Sequence, residues 1–335
     1  MRVAVIGVGS MGRNHARVYS ELEGSTLVSV ADVNGDQAAD VAGTYGARAY
    51  TDYRKMLQQE DLDAVSVVVP TAQHKEVALV AIERGLGLLI EKPISSIVEA
   101  GEEIVALARK KNSKLMVGHI ERFNPAVIEL KKQLDKGRLG AIYRVHANRI
   151  GPFAPRIRDV GVAMDLATHD LDIMFYLLGS QVDRAYAQTL SGIRTEYEDL
   201  FTATLSFSQG AVGTLDVNWI TPIKERWLSI IGEAGMFRLD YQAQSLDFYP
   251  DQNSPEAISD PLRYTQGDGV FKESIDIVPG EPLKKELEAF ADYVDNGSPP
   301  PVNGEDGLRV IKVAQALVEA GRMGEVINFA ELEKR

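Results

Sequence analysis

The chain has no cysteine in its 335 residues. Disulfides, zinc–thiolate centres and a cysteine nucleophile are therefore excluded, and no metal site is expected. It also lacks any apolar run near the roughly 18 residues that a membrane-spanning helix requires. The chain enters its first strand directly at Arg2-Val3-Ala4-Val5-Ile6, so a secretory leader is not expected. Positive charge is in deficit. Lysine and arginine total 36 against 48 aspartate and glutamate, a formal net charge of −12, which disfavours nucleic acid and membrane surfaces as partners. An anionic ligand would need a local cluster of Arg or Lys. Internal repeats and low-complexity tracts are missing too. What remains is the composition of an ordinary globular protein, long enough for two domains with separate cores and expected to be cytoplasmic.

The stretch that organises the chain is Leu86-Gly-Leu-Leu-Ile-Glu91-Lys92-Pro93-Ile94. Leu86 to Ile90 read as a short strand buried on both faces, ending on a charged pair. In an open parallel sheet, ligands bind beyond the carboxyl ends of the strands, which puts Lys92 at the edge of a crevice. A strand-end lysine is ordinarily just solvated. Here its sequence neighbourhood describes a nucleotide site. Gly7-Val8-Gly9-Ser10-Met11-Gly12 follows the first strand and opens a helix at about Met11 to Glu23, giving G-x-G-x-x-G in its proper context. Gly7 allows the tight turn, Gly9 lets a pyrophosphate approach the helix N-terminus, and Gly12 lets helix and strand pack closely. A second strand, Thr26 to Ala31, ends in Asp32, placed to bind an adenosine ribose. Val33 and Asn34 follow, with no Arg for a 2′-phosphate. NAD is expected, with NADP the less favoured cofactor.

The alternation continues with helices at Gln37 to Tyr45, Tyr53 to Gln59 and His74 to Arg84. Strands fall near Arg48 to Tyr50, at Ala64 to Val69 and at Lys114 to Gly118, and a helix capped by Ser95 or Ser96 runs to about Lys111. This predicts a doubly wound parallel sheet over residues 1–120. His74 reads either as a helix-start or surface residue or as a neighbour of the cofactor. Residues 121–335 are expected to form a second, α+β domain. Asn124 and Pro125 read as N-cap and N1 of a helix to Lys136, and Ala141 to Ile150 as a strand. From Gln181 to Tyr249 consecutive strands imply an open, mostly antiparallel sheet with one covered face. A broad apolar free face would favour self-association. Asp251 to Gly269 reads as a long loop, and Gly304 to Met323 as a final helix returning near the domain junction.

Two constellations in this second half carry chemistry. Arg149, Arg156 and Arg158 cluster in an acidic chain; they are either solvated loop residues or a clamp for a diphosphate or carboxylate. Val160 to Leu178 is helical in period and closes at Gly179, with Asp165, His169 and Asp172 sharing one face. A carboxylate one turn from an imidazole fixes its tautomer and orientation. His169 is the candidate base, Asp165 its orienting partner, and Lys92 the group that holds the reacting oxygen.

The glycine-rich loop, Val69-Pro70-Thr71 followed by His74, and Glu91-Lys92-Pro93 together resemble the glucose–fructose oxidoreductase and inositol dehydrogenase (Gfo/Idh/MocA) family. The resemblance covers nearly the whole chain. It implies an NAD(P)-dependent sugar or cyclitol dehydrogenase, with Val69, Pro70, Thr71, His74, Glu91 and Lys92 beside the cofactor. It implies that the turn at Arg122 borders the active site, where Arg122 would serve cofactor or substrate. It also implies an Asp-x-Gly-x-His-x-x-Asp motif, matched at Asp165, His169 and Asp172 but with Ala167 in the glycine position. The outer face of the second sheet would mediate a homodimer or homotetramer. Gly118 to Val127 is similar to those members that oxidise the 3-hydroxyl of UDP-N-acetylglucosamine, or a related nucleotide sugar, to a ketone. An uncharged sugar or inositol is the alternative substrate. A non-catalytic NAD-binding regulator is the alternative of another class, opposed by the presence of Lys92, Asp165 and His169.

Overall fold

A computed structural model describes residues 1–153, 155, 160–251 and 272–332. The chain divides into two compact units, Met1–Phe123 with Glu281–Gln315, and Asn124–Gly280 with Ala316–Arg335. The first unit thus takes in a late segment that a division at residue 120 leaves to the second.

In the first unit, strands β1 (Arg2–Ile6), β2 (Thr26–Ala31), β3 (Arg48–Tyr50), β4 (Ala64–Val67), β5 (Gly87–Glu91) and β6 (Leu115–Gly118) form one sheet in the order β3-β2-β1-β4-β5-β6. Every pairing is parallel, the doubly wound order of dinucleotide-binding sheets. Leu88, Leu89 and Ile90 are fully buried, because a central parallel strand is covered on both faces. Between the strands run α1 (Ser10–Glu21), α2 (Gly35–Tyr45), α3 (Tyr53–Gln59), α4 (His74–Glu83) and α5 (Val98–Lys111). The Asn34 side chain caps α2 by accepting from the Gln37 N–H at 3.2 Å. Neither Ser95 nor Ser96 caps α5. Ile97 takes the N-cap position, Ser95 donates to the Ile97 carbonyl, and Gln315, far along the chain, accepts from the Val98 N–H at 3.1 Å.

The second unit opens with α6 (Pro125–Asp135), capped as expected: Asn124 Oδ1 accepts from the Ala126 N–H at 3.1 Å. Its sheet contains β7 (Ile142–Pro152), β8 (Val182–Ser191), β9 (Glu198–Phe207), β10 (Val212–Asn218), β11 (Ile220–Gly232), β12 (Gly235–Asp240), β13 (Ser245–Pro250), β14 (Glu273–Ile275) and β15 (Ile327–Asn328), ordered β14-β13-β12-β11-β7-β10-β9-β8-β15. All its pairings are antiparallel except β7 with β10. On the covered face, Phe201, Leu205, Val217 and Val145 are buried beneath α7 (Thr168–Leu178), whose Phe175 meets Phe207 edge-on at 6.2 Å. The free face is mixed rather than broadly apolar: Tyr186, Leu190 and Val212 alternate with exposed Thr202 and Thr204. The chain ends with α8 (Pro282–Asn296), α9 (Gly304–Met323) and α10 (Phe329–Leu332). α8 and the first part of α9 belong to the first unit. Arg156, Arg158 and nearly all of the loop expected over 251–269 lie outside the described residues.

Candidate functional site

In the first unit, the strand register collects the selected residues at one edge. Ile6 pairs with Ala31 and Val67, and Val67 with Ile90. The residues that follow are Gly7, Asp32, Val68 and Glu91, all at the carboxyl edge where β1 and β4 diverge, the topological switch point. Gly7 has φ 87°, and a Cβ there would lie 2.5 Å from the Val68 carbonyl oxygen. A Cβ on Gly12 would lie 1.9 Å from the Gly7 carbonyl oxygen. Gly9 is different, because nothing stands within 4 Å of where its Cβ would be. No side chain caps α1, so its first-turn N–H groups lack both intrahelical and side-chain cap partners. Asp32 accepts from the Val8 N–H at 2.8 Å and the Asn34 N–H at 2.9 Å, tying the glycine loop to the end of β2. Oδ2 also accepts a long bond from the Gln37 amide at 3.4 Å, which leaves Oδ1 with the lone pair for a ribose hydroxyl. This arrangement fits a dinucleotide, with pyrophosphate on the α1 N-terminus and ribose on Asp32.

The exits of β4 and β5 are strapped together. His74 is 1% exposed, with Nδ1 2.9 Å from the Pro93 carbonyl and Nε2 2.9 Å from the Val69 carbonyl. Burial lowers its pKa although both carbonyls favour the charged ring. A neutral His74 ring donates to one of these carbonyls and lies against the other, so it ties the crevice edge and is not a surface residue. Glu91 also faces inward. Its carboxylate bonds His15 Nε2 at 3.0 Å and accepts from the Lys92 N–H at 3.2 Å. Lys92 is half-buried, and the peptide to Pro93 is cis. Arg122 lies in the turn Ile120–Phe123. Its guanidinium is 6% exposed and donates to the Pro301 carbonyl at 2.8 Å and to Asp306 at 3.3 Å.

In the second unit, Ala163–Ala167 form a π-helical turn that runs into α7. α7 stops at Gly179, in the left-handed region at φ 59°, as the sequence predicts. The π turn contains Asp165 and ends just before His169, the kind of irregularity that recurs at functional positions. The helical segment is buried almost all round. Asp165, Leu166, His169 and Tyr176 are its half-exposed residues, and Asp172, on the same face by spacing, is 1% exposed. Arg149 corrects the clamp reading. It is 1% exposed, its guanidinium is bound to Asp170 by bonds of 2.8 and 3.0 Å, and it lies 4.9 Å from the Tyr241 ring centroid. The cause is its register position on the central strand β7, which places a bidentate cation beneath α7.

Sequence reasoning missed three residues. His15 follows the glycine motif by three positions on the buried face of α1, and its edge-on contact with Tyr19 at 6.4 Å was legible in the i, i+4 spacing. Glu198 is buried, accepts from the Ala163 N–H at 3.3 Å and has its pKa raised by burial. Glu286 is fully buried on α8. Neither glutamate had a local signal.

The sheet order, the glycine turn and the strand-end carboxylate define a class: a dinucleotide-binding oxidoreductase with a Rossmann unit. Residues 1–119 match the family described as "Oxidoreductase family, NAD-binding Rossmann fold", and residues 131–329 match "Oxidoreductase family, C-terminal alpha/beta domain". The chain belongs to this Gfo/Idh/MocA family and is an NAD-binding sugar oxidoreductase. It is 32% identical over 94% of its length to the UDP-N-acetylglucosamine 3-dehydrogenase of Acidithiobacillus ferrooxidans, covering 95% of that protein. A solved structure of that enzyme matches with a TM-score of 0.83 at 30% identity, over 96% of this chain and 97% of the other. Inositol 2-dehydrogenase 3 of Saccharopolyspora erythraea is 28% identical over 98% of this chain and 96% of its own. No helix among the described residues is long and apolar enough to cross a membrane.

Proposed function

We propose that this chain is an NAD-dependent dehydrogenase that oxidises the 3-hydroxyl of UDP-N-acetylglucosamine, or of a closely related nucleotide sugar, to the ketone. The observation that carries this reading is the similarity over 94% of the chain to an enzyme of that name. Arg149 no longer supports a diphosphate clamp, since its guanidinium is buried against Asp170. NAD is favoured over NADP because Asp32 offers a carboxylate where a 2′-phosphate would need a cation, and Val33 and Asn34 supply none.

The dinucleotide, when bound, accepts the hydride. His169 takes the hydroxyl proton, Asp165 orients the imidazole, and the Lys92 ammonium hydrogen-bonds the oxygen as negative charge develops on it. Self-association through the free face of the second sheet is part of this reading; on that face Tyr186, Leu190 and Val212 are exposed among Thr202 and Thr204. The test follows NADH formation with UDP-N-acetylglucosamine, glucose and myo-inositol, each with NAD and NADP. Turnover confined to the nucleotide sugar is expected. Turnover with myo-inositol alone establishes the second reading, which the inositol dehydrogenase similarity favours.

A further inference from the structure

Three titratable side chains are buried together beneath the end of β5: His15 on α1, Glu91 and Glu286 on α8, at 0%, 8% and 0% exposure. One ligating atom from each lies within 4.8 Å of the other two. Glu91 is fully engaged, with one oxygen on His15 Nε2 and the other on the Lys92 backbone N–H. Its carboxyl lies close over Gly118, where a Cβ would stand 3.3 Å from Oε2. Glu286 is the opposite case, since neither carboxyl oxygen has a hydrogen-bond partner or access to solvent. An isolated carboxylate in such a place costs several kcal/mol and takes up a proton instead.

The two glutamates are driven apart. Burial first, and then the charge of Glu91, push the Glu286 pKa well above the ordinary glutamate range. Burial also pushes Glu91 upward, but the hydrogen bond and charge of His15, with the adjacent Lys92, outweigh it and hold Glu91 low. Other titratable groups lie on the elements around α8, among them Arg13, which pairs with Asp40, and Lys114, which donates to the Val294 carbonyl. On α1, Arg17 pairs at the surface with Glu21 and Glu281. Tyr19, its pKa raised by burial, bonds Ser66 at 2.7 Å. His119, Glu121 and Arg122 lie on or beside the turn Ile120–Phe123, and Arg122 is tied to Asp306. Beyond β5, His74 is held between two carbonyls.

We propose that Glu286 stands as a neutral carboxylic acid and is a positioning residue for Lys92: its O–H donates toward Glu91, keeping the pair's single negative charge on the carboxylate that holds the Lys92 backbone amide. A spacing of up to 4.8 Å is closed by rotation of the Glu286 carboxyl or by one bridging water. The inference rests on the reading that Lys92 holds the reacting oxygen. Ionising Glu286 at alkaline pH would set two buried carboxylates against each other and loosen Glu91 from the Lys92 N–H, so turnover falls there.

The test compares wild type, Glu286→Gln and Glu286→Ala. An infrared difference spectrum of wild type minus Glu286→Gln at neutral pH should show the carbonyl stretch of a buried protonated acid, a readout that needs no activity. In kcat against pH, Glu286→Gln, which donates but cannot ionise, should lose part of the alkaline decline. Glu286→Ala should lower kcat by about ten- to a hundredfold while the KM for NAD stays in place. Absence of the protonated-acid band, or an identical alkaline limb in Glu286→Gln, overturns the proposal. So does one divalent metal ion per purified chain that is lost in Glu286→Gln, because a metal requires the ionised carboxylate. Normal turnover in Lys92→Met with the band still present would instead overturn the role of Lys92 and leave the protonation state of Glu286 standing.

Discussion

In the first unit, the ligand edge is built from backbone: a glycine turn, open helix N–H groups, and main-chain carbonyls of Val69 and Pro93 strapped by His74. In the second, the helix that bears His169 follows directly from a π turn that holds Asp165 and whose Ala163 N–H bonds buried Glu198, and the helix carries Asp170, paired with Arg149. A backbone-built site tolerates side-chain change and fails when a Cβ is added. A charge-held helix should behave the other way, losing stability when one partner is removed. Substitutions on each side can break or sharpen that contrast.

The largest effect is expected in the second unit. Arg149→Met keeps most of the side-chain volume but strips Asp170 of two charge-assisted bonds in a buried setting, which should cost about 3–5 kcal/mol. A thermal melt measures it. A fall in Tm no larger than that of an exposed Arg→Met control would show that buried charge does not hold this helix. Next comes Lys92, a first-unit residue whose role is assigned to its side chain rather than its backbone. Lys92→Met should lower kcat by about 10²–10³-fold, the loss typical when one donor to a developing oxyanion is removed. NAD affinity, read by nucleotide fluorescence, should hold. Normal turnover would end that assignment.

Two glycines sharpen the contrast within the first unit. Gly12→Ala drives a methyl to within 1.9 Å of the Gly7 carbonyl oxygen and should destabilise by about 1–3 kcal/mol, weakening NAD binding as well. Gly9→Ala meets no protein atom within 4 Å. It should therefore leave Tm in place and reduce only NAD affinity, since the new methyl takes the room of the pyrophosphate. If both variants melt alike, the open space above Gly9 is not a ligand cradle.

The same contrast explains what could be read from residues alone. The parallel sheet, Gly7, Gly12 and the Asn124 cap were legible because each depends on spacing within a few positions. Arg149 was not: three arginines within ten residues look alike in sequence, and only the pairing of β7 with β10 and β11 decides that this one points beneath α7. Glu91 was legible as a strand end, but its direction depends on His15 and on packing around α8. The cap of α5 comes from Gln315, a contact that no local window contains, which is why Ser95 and Ser96 looked like the capping residues.

The smallest effect concerns Glu198, which bonds the Ala163 N–H at the start of the turn that holds Asp165. Its carboxyl lies against Gly161, where a Cβ would come within 2.1 Å. Burial raises its pKa, opposed by the bonds from its own amide and that of Ala163 and by the charge of Arg322. The folded state then holds the proton more tightly than the unfolded chain, so this contribution to stability is complete below the ordinary glutamate range and is lost as pH rises through the raised folded value. Glu198→Gln preserves the shape and cannot ionise. The Tm gap between variant and wild type should therefore move in the variant's favour between mildly acidic and neutral pH. A gap that stays constant across that window would mean that Glu198 is already ionised in the folded chain, and that the turn holding Asp165 is held by a carboxylate rather than by an acid.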